Sequence, residues 1–370
     1  MKSFRYIILG GGMAAGYGAR AFVENGAKPG ELAILSSDED LPYERPPLSK
    51  GFLAGRDTEE SILINKPEFY REHGIEVVLR EVVERVDFAA KRLRARSGAE
   101  YAFDKLLIAT GARPRTLDLP GPIYYLRSAA DSRRIREAAS RARSAAVIGG
   151  GFIGMEVASV LAQKGIEVTM LVAEDRIWQR LFTPELSAFF QRYYEARGVK
   201  VVTRTGPVTA RQTAGAELVV AGVGVVPETA LFETTGLALQ NGILVNEYLE
   251  TNVPGVWAAG DVADYRDILY DRRRRVEHWD NAVKQGPHAA RAMATGAREP
   301  FRNLPYFFSD VFDLSWEFWG DTSDADRTEM RGDYDSKSFS VWWWKGTRLV
   351  AAFLMNRPEE ERERAQALPI

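Results

Sequence analysis

The sequence predicts an α/β fold built on two parallel β-sheets, with a small α+β domain at the C-terminal end. Three observations carry that expectation. A strand, a glycine turn, a helix, a second strand and an acid follow one another at the N-terminus. The same succession recurs from residue 145, and two further apolar strands run into glycine turns at 109–111 and 258–261.

The first unit reads FRYIILGGGMAAGYGARAFVENG. Its YIIL run is apolar throughout, as a strand buried on both faces requires. Gly10, Gly12 and Ala15 follow in G-x-G-x-x-A spacing, with Met13 and Ala14 between them, and open a stretch of helical periodicity. Gly10 suits a tight turn and Gly12 lets a pyrophosphate approach the backbone. A small residue at 15 permits close helix–strand packing, while the helix N-terminus supplies amide donors and a positive dipole. The strand ELAILSS comes next and ends near Asp38, in the region where a carboxylate accepts ribose hydroxyls.

The second unit reads AAVIGGGFIGMEVASVLAQKGIEVTMLVAED. Gly149, Gly151 and Gly154, with Phe152 and Ile153 inside the turn, fit G-x-G-x-x-G. Glu174 lies about 20 residues beyond, at the expected position of a ribose-binding acid. One such glycine match is weak, because any strand–helix turn can carry it; two in full strand–helix–strand context are specific. The remaining turns, Ala109-Thr110-Gly111 after FDKLLI and Gly260-Asp261 after VPGVWAA, read as crossovers that close the two sheets. The fold class is therefore α/β with two Rossmann-like dinucleotide-binding domains, over 1–111 with 228–297 and over 112–227. A C-terminal α+β domain takes 298–370.

Composition bounds the chemistry. The 370 residues include 45% apolar and 27% charged residues at a formal net charge of −2, which gives no global attraction to nucleic acid or an acidic membrane. No apolar run is long enough for a membrane span and the chain opens on a strand, so a cytoplasmic protein is expected. There is no cysteine, which removes disulfides, thiolate metal sites and any redox dithiol. Three scattered histidines make a transition-metal site an unpromising expectation. Redox chemistry here needs a carried cofactor.

The segment LPYERPPLSKGFL, residues 41–53, is stiffened by Pro42, Pro46 and Pro47 yet carries Glu44, Arg45 and Lys50. Proline fixes φ and removes an amide donor, so this is a rigid, irregular loop. Taken with GGGMAAG, KPGELAILS, IATGARPR, GGGFIGME, RLFTPEL, PGVWAAGD, VEHWDNA and DLSWEFWGD, it makes nearly the whole chain resemble a family of two-dinucleotide flavoproteins. The resemblance is to the branch of ferredoxin reductases, apoptosis-inducing factor and monodehydroascorbate reductases.

The resemblance implies FAD in the first unit and NAD(P)H in the second, and Glu174 at the strand end favours NADH over NADPH by repelling a 2′-phosphate. The resemblance assigns to FAD the Gly10–Ala15 turn, Asp38, Arg45, Lys50, Val83, Ala109, Thr110, Gly111, Arg127, Gly260 and Asp261. Glu277, His278, Trp279 and Phe308 fall at the flavin edge. Along the nicotinamide nucleotide it places the Gly149–Gly154 turn, Glu156, Glu174, Arg180, Gly224 and again Glu277. Lys50 would pair with Glu156 and stabilise negative charge on the flavin.

Two departures refine the picture. Monodehydroascorbate reductases contact their substrate through an Arg five residues beyond the Glu-His pair and a Tyr in a PYFYS-like segment; Val283 and Phe308 stand at those places here. That favours a ferredoxin-type protein as electron acceptor, with monodehydroascorbate-like reduction, or a flavoprotein whose response to NADH is a change of partner, as alternatives. Only 13 residues separate Val202 from the strand AELVVAG, too few for the usual three-stranded meander. Arg272, Arg273, Arg274 and Arg275 could form an electropositive docking surface for an acidic partner, or a solvated loop. Finally, SVWWWKGTRLVAAFLM predicts two strands joined at Lys345-Gly346, with tryptophans on both faces, then a charged helix; this satellite core is expected to pack on the FAD-type domain, with an oligomer interface as the alternative.

Overall fold

The computed structural model describes residues 1–368. Contacts group them into two compact units. The first comprises Met1–Glu44, Glu60–Arg113 and Val226–Asn303, and the second Arg45–Glu59, Pro114–Val225 and the described residues from Leu304 onward.

The first unit is organised by the strand Lys2–Leu9, which pairs in parallel with Leu32–Leu35 on one side and Glu100–Ile108 on the other. Glu76–Val78 extends the sheet beyond Leu32–Leu35, and Val256–Ala258 lies parallel to the end of the long strand, Ala258 opposite Ile108. The start of the long strand instead receives the antiparallel arm Arg92–Ala95 and Val83–Asp87. Ile7, Ile8, Leu106, Leu107 and Ile108 are fully buried, as strands covered on both faces must be. The helices Met13–Glu24 and Trp279–Thr295 cross so closely that a Cβ on Gly286 would lie 2.2 Å from the Ala14 carbonyl oxygen.

The second unit holds a parallel sheet in the order Lys200–Val202, Glu167–Leu171, Ser144–Ile148, Leu218–Ala221, Tyr124–Tyr125. Where the family carries its meander there is one short helical turn, Ala210–Thr213, closed by a capping box from Thr209. That agrees with the short spacer in the sequence. Leu304–Gln366 adds an antiparallel sheet in the order Tyr306–Val311, Leu314–Gly320, Arg348–Met355, Ser338–Lys345, Arg327–Asp333, and the helix Glu359–Gln366.

The hairpin and helix read from the sequence are present, but their expected place is corrected. The satellite sheet groups with the second unit, not the FAD-type one. The reason is aromatic: Trp316 and Phe353 from the sheet pack edge-on against Phe182, 5.2 and 5.4 Å between centroids, and Trp178 packs on Trp316 at 5.6 Å. Such pairs stabilise beyond the area they bury. Trp342 and Trp343 are buried on opposite faces, so both sides of that strand are covered.

Candidate nucleotide and electron-transfer site

The two glycine turns are built alike. Gly10 sits at φ +125°, and a Cβ there would lie 2.2 Å from the Ala109 carbonyl oxygen; one on Gly11 would meet Ser36 Oγ at 2.1 Å. In the second unit Gly149 sits at φ +113° with the Gly222 carbonyl 2.3 Å from a Cβ, and a Cβ on Gly154 would be 2.1 Å from the Gly149 carbonyl. These glycines are required by the protein's own backbone. Gly151 differs: a Cβ there would meet nothing within 4 Å. Gly12 and Gly151 are the N-caps of Met13–Glu24 and Phe152–Gln163, and neither helix has a side-chain cap. Open amides at a helix N-terminus beside free space form a cradle for pyrophosphate.

Within the first unit the expected residues gather at the C-terminal ends of the parallel strands. Asp38 follows Leu32–Leu35; its Oδ1 accepts the Glu39 and Asp40 amides at 2.8 and 3.4 Å and its Oδ2 the Tyr43 hydroxyl at 2.8 Å, leaving an acceptor site on Oδ2 for a further donor. Thr110 donates its hydroxyl to the Glu228 carbonyl at 2.9 Å, and Gly111, at φ +71°, accepts the Glu228 amide. Val83 starts its strand and packs on the core. Gly260, at φ +80°, is held by Gln285, whose Oε1 accepts its amide at 2.8 Å, and Asp261 follows. Glu277 pairs with Arg275 at 2.5 Å. His278 caps Trp279–Thr295; burial drives its imidazole down to about 4 against the pull of Asp261, so the ring is neutral at pH 7. Trp279 donates its indole N–H to Glu44 at 2.6 Å, and Tyr17 donates to the same carboxylate.

Sequence reasoning missed Asn281 and Gln285. Both are buried on the helix behind Trp279, and Asn281 Oδ1 and Gln285 Nε2 have no hydrogen-bond partner among the described residues. A buried amide left half-satisfied costs free energy unless another group completes it. Beside the Gly10–Ala15 cradle, these orphaned atoms fit a polar cofactor such as FAD. The i, i+4 spacing of two amides on one helix was the available signal.

Within the second unit, Arg45 donates to the Arg127 carbonyl at 3.0 Å. Lys50 ends the one-turn helix Pro46–Ser49, and its ammonium lies 2.9 Å from Glu156 Oε1 and 5.1 Å from the Phe308 ring centroid. Glu156 is buried in the helix Phe152–Gln163. Glu174 lies beyond Glu167–Leu171, exposed, as is Arg180. Arg176, by contrast, donates to the Gln179 and Phe182 carbonyls and is committed to its own loop. Gly224 adopts φ +95° and accepts the Arg115 amide at 2.9 Å. Thus Arg45, Lys50, Arg127 and Phe308 belong to the second unit, and the other FAD candidates to the first.

The arginine run is largely engaged. Arg273 donates to the Val245 and Asp264 carbonyls, Arg274 pairs with buried Asp267 at 3.4 Å, and Arg275 reaches Glu277 and the Asp261 carbonyl. Arg272 stacks on Tyr270 at 5.5 Å. Among the described residues no cluster of acids and histidines could hold a metal ion, and no helix is long and apolar enough to cross a membrane.

This chain belongs to the pyridine nucleotide-disulphide oxidoreductase family, whose profile matches residues 4–286. It is an FAD flavoprotein reductase dependent on a nicotinamide nucleotide, and residues 304–368 match the C-terminal domain of monodehydroascorbate reductase 3-like proteins. Among similar proteins, the monodehydroascorbate reductase of Pisum sativum is 37% identical, covering 98% of this chain and 93% of its own. That of Solanum lycopersicum is 36% identical with the same coverage. Among solved structures, the ferredoxin reductase of the CYP199A2 system from Rhodopseudomonas palustris superposes with a TM-score of 0.91 at 29% identity, covering 98% of this chain and 93% of that one. The covalent putidaredoxin reductase–putidaredoxin complex gives 0.90 at 29% identity, covering 98% and 92%. The family takes its name from a disulphide, but this sequence has no cysteine to form one.

Proposed function

We propose that this reductase passes electrons from NADH through FAD to a one-electron acceptor, and that the acceptor is a ferredoxin-type protein. The observation that carries the choice is the chemistry at 283 and 308. Val283 packs on the apolar core of the first unit, and Phe308 stacks on Tyr306 at 6.0 Å and faces the Lys50 ammonium. Neither side chain offers a polar atom to hold a small polar radical. The solved neighbour joined to putidaredoxin supports the same kind of partner.

FAD, when bound, converts a two-electron donor into single electrons. The residues do the rest. In this reading 1–111 with 228–297 holds FAD by the Gly10–Ala15 cradle and the acid Asp38, and 112–227 holds NADH by the Gly149–Gly154 cradle. Glu156, buried beside Lys50, directs its ammonium, so a fixed positive charge is in place wherever negative charge develops. A cytoplasmic location goes with this reading.

Nucleotide choice follows from Glu174. Its carboxylate is exposed at the strand end and repels a 2′-phosphate, while Arg176, the neighbouring cation, is held by loop carbonyls. NADH should give the higher kcat/KM, and Glu174→Ala should narrow the ratio; a wild-type preference for NADPH would show that Arg180 governs the site instead.

The second reading, monodehydroascorbate reduction, is favoured by the 36–38% identity to the plant enzymes. A reductase assay separates the two. Putidaredoxin or a host ferredoxin should be reduced briskly and monodehydroascorbate poorly, with Val283→Arg and Phe308→Tyr together improving the latter. Arg272 to Arg275 remain the proposed docking side, and Arg272, whose guanidinium lies over the Tyr270 ring, is the member to neutralise. Arg272→Gln should lower ferredoxin-dependent turnover as added salt does, since screening acts over about 8–10 Å, with ferricyanide turnover unchanged. Salt-insensitive ferredoxin reduction with fast monodehydroascorbate reduction would assign the chain to the second reading.

A further inference from the structure

Glu156 receives more than Lys50. Its Oε1 accepts both the Lys50 ammonium at 2.9 Å and the Ser309 hydroxyl at 2.6 Å, and its Oε2 accepts the Ser49 hydroxyl. Ser309 is wholly buried and Ser49 nearly so. The three donors come from two segments: Ser49 and Lys50 from the proline-stiffened loop, Ser309 from the strand Tyr306–Val311 of the C-terminal sheet. A serine hydroxyl can rotate to donate, and a carboxylate offers about four acceptor sites on its two oxygens, so fixed donors take both sites of Oε1 and one of Oε2 on the buried Glu156.

We propose that Ser309, with Ser49, is a positioning residue for the Lys50–Glu156 pair, so that the C-terminal sheet sets where the site's positive charge stands. The inference rests on the role given to Lys50 above. Without Ser309, Oε1 keeps only the ammonium, and the carboxylate is free to turn about its side-chain bonds, carrying Lys50 with it. Small displacement of a preorganised charge weakens its effect on a reacting group. The same helix is joined at a second point to the turn after that strand, where the Phe312 amide donates to Ser159 Oγ at 2.6 Å. Ser159 lies three residues after Glu156, and its hydroxyl is engaged by the Phe312 amide and the Gln163 side chain rather than by the carboxylate, so it supplies a control for loss of packing alone.

The test uses the FAD-loaded full chain in four forms: Ser309→Ala, Ser159→Ala, Lys50→Met and the Lys50→Met/Ser309→Ala double variant. Ser309→Ala should slow flavin reduction by NADH about tenfold, the scale of one hydrogen bond to a charged group, and make the flavin midpoint potential more negative. Ser159→Ala should lower thermal stability to a similar degree while leaving both readouts at wild type. In the Lys50→Met background, Ser309→Ala should add nothing, because it acts only through the lysine. Equal losses from Ser159→Ala and Ser309→Ala, additive losses in the double variant, or an unmoved potential in Ser309→Ala would each overturn the proposal. If Lys50→Met itself is silent, it is the role of Lys50 that fails, a result distinct from a silent Ser309→Ala beside an impaired Lys50→Met.

Discussion

Lys50→Met should slow reduction of the bound flavin by NADH about 10²-fold, the scale of losing one preorganised electrostatic contact, while FAD stays bound. The side chain is only 15% exposed and its partner Glu156 5%, so the pair works where water screens little. Methionine keeps much of the stem's volume and removes the charge. It also leaves a buried carboxylate with two hydroxyl donors but no cation, which costs stability as well as rate. The cofactor should remain because the Gly10–Ala15 cradle is untouched. Stopped-flow reduction, with released flavin measured after denaturation, checks both halves. An unchanged rate would remove Lys50 from the mechanism.

Gly151→Val should abolish productive use of NADH while leaving the fold and the flavin in place. Apart from its chain neighbours, no atom of the described residues lies within 4 Å of a would-be Cβ on this glycine, so the branched side chain enters open space rather than the core. That space lies over the uncapped N-terminus of Phe152–Gln163, where the pyrophosphate is proposed to sit. A loss of about 10²-fold or more in kcat/KM for NADH is expected, since even a 1 Å misplacement costs that much. Flavin content and melting temperature should stay near wild type. Gly154→Ala gives the opposite pattern: its Cβ would sit 2.1 Å from the Gly149 carbonyl, an overpacking that costs about 1–3 kcal/mol or more and should appear first as lost stability. If Gly151→Val uses NADH normally, the nucleotide does not lie over that turn.

The sequence by itself determined the repeated strand–turn–helix units, because glycine at fixed spacing after a buried strand is a local backbone requirement: Gly10 and Gly149 both adopt positive φ where a Cβ would strike a carbonyl. It also determined the C-terminal hairpin about Lys345-Gly346, the absence of dithiol chemistry and the loss of the meander, each legible from a count or a short pattern. Lys50 and Glu156 were paired only through the family resemblance, and they lie 2.9 Å apart in the structure. The tertiary structure decided what depends on contacts distant in the chain. Ser309 reaches Glu156 across 153 positions, and a serine carries no pattern that announces it. Asn281 and Gln285 became visible only because one polar atom of each is buried without a hydrogen-bond partner among the described residues. The arginine run looked like a single patch, yet strand pairing turns Arg274 towards buried Asp267 and carries Arg275 to Glu277. The C-terminal sheet chose its neighbour by aromatic packing on Trp178 and Phe182, a surface that exists only once the second unit has folded. Glycine and proline write their constraints into the local sequence, whereas a hydroxyl, an amide or a guanidinium takes its meaning from whichever partner the fold brings within 3 Å or so.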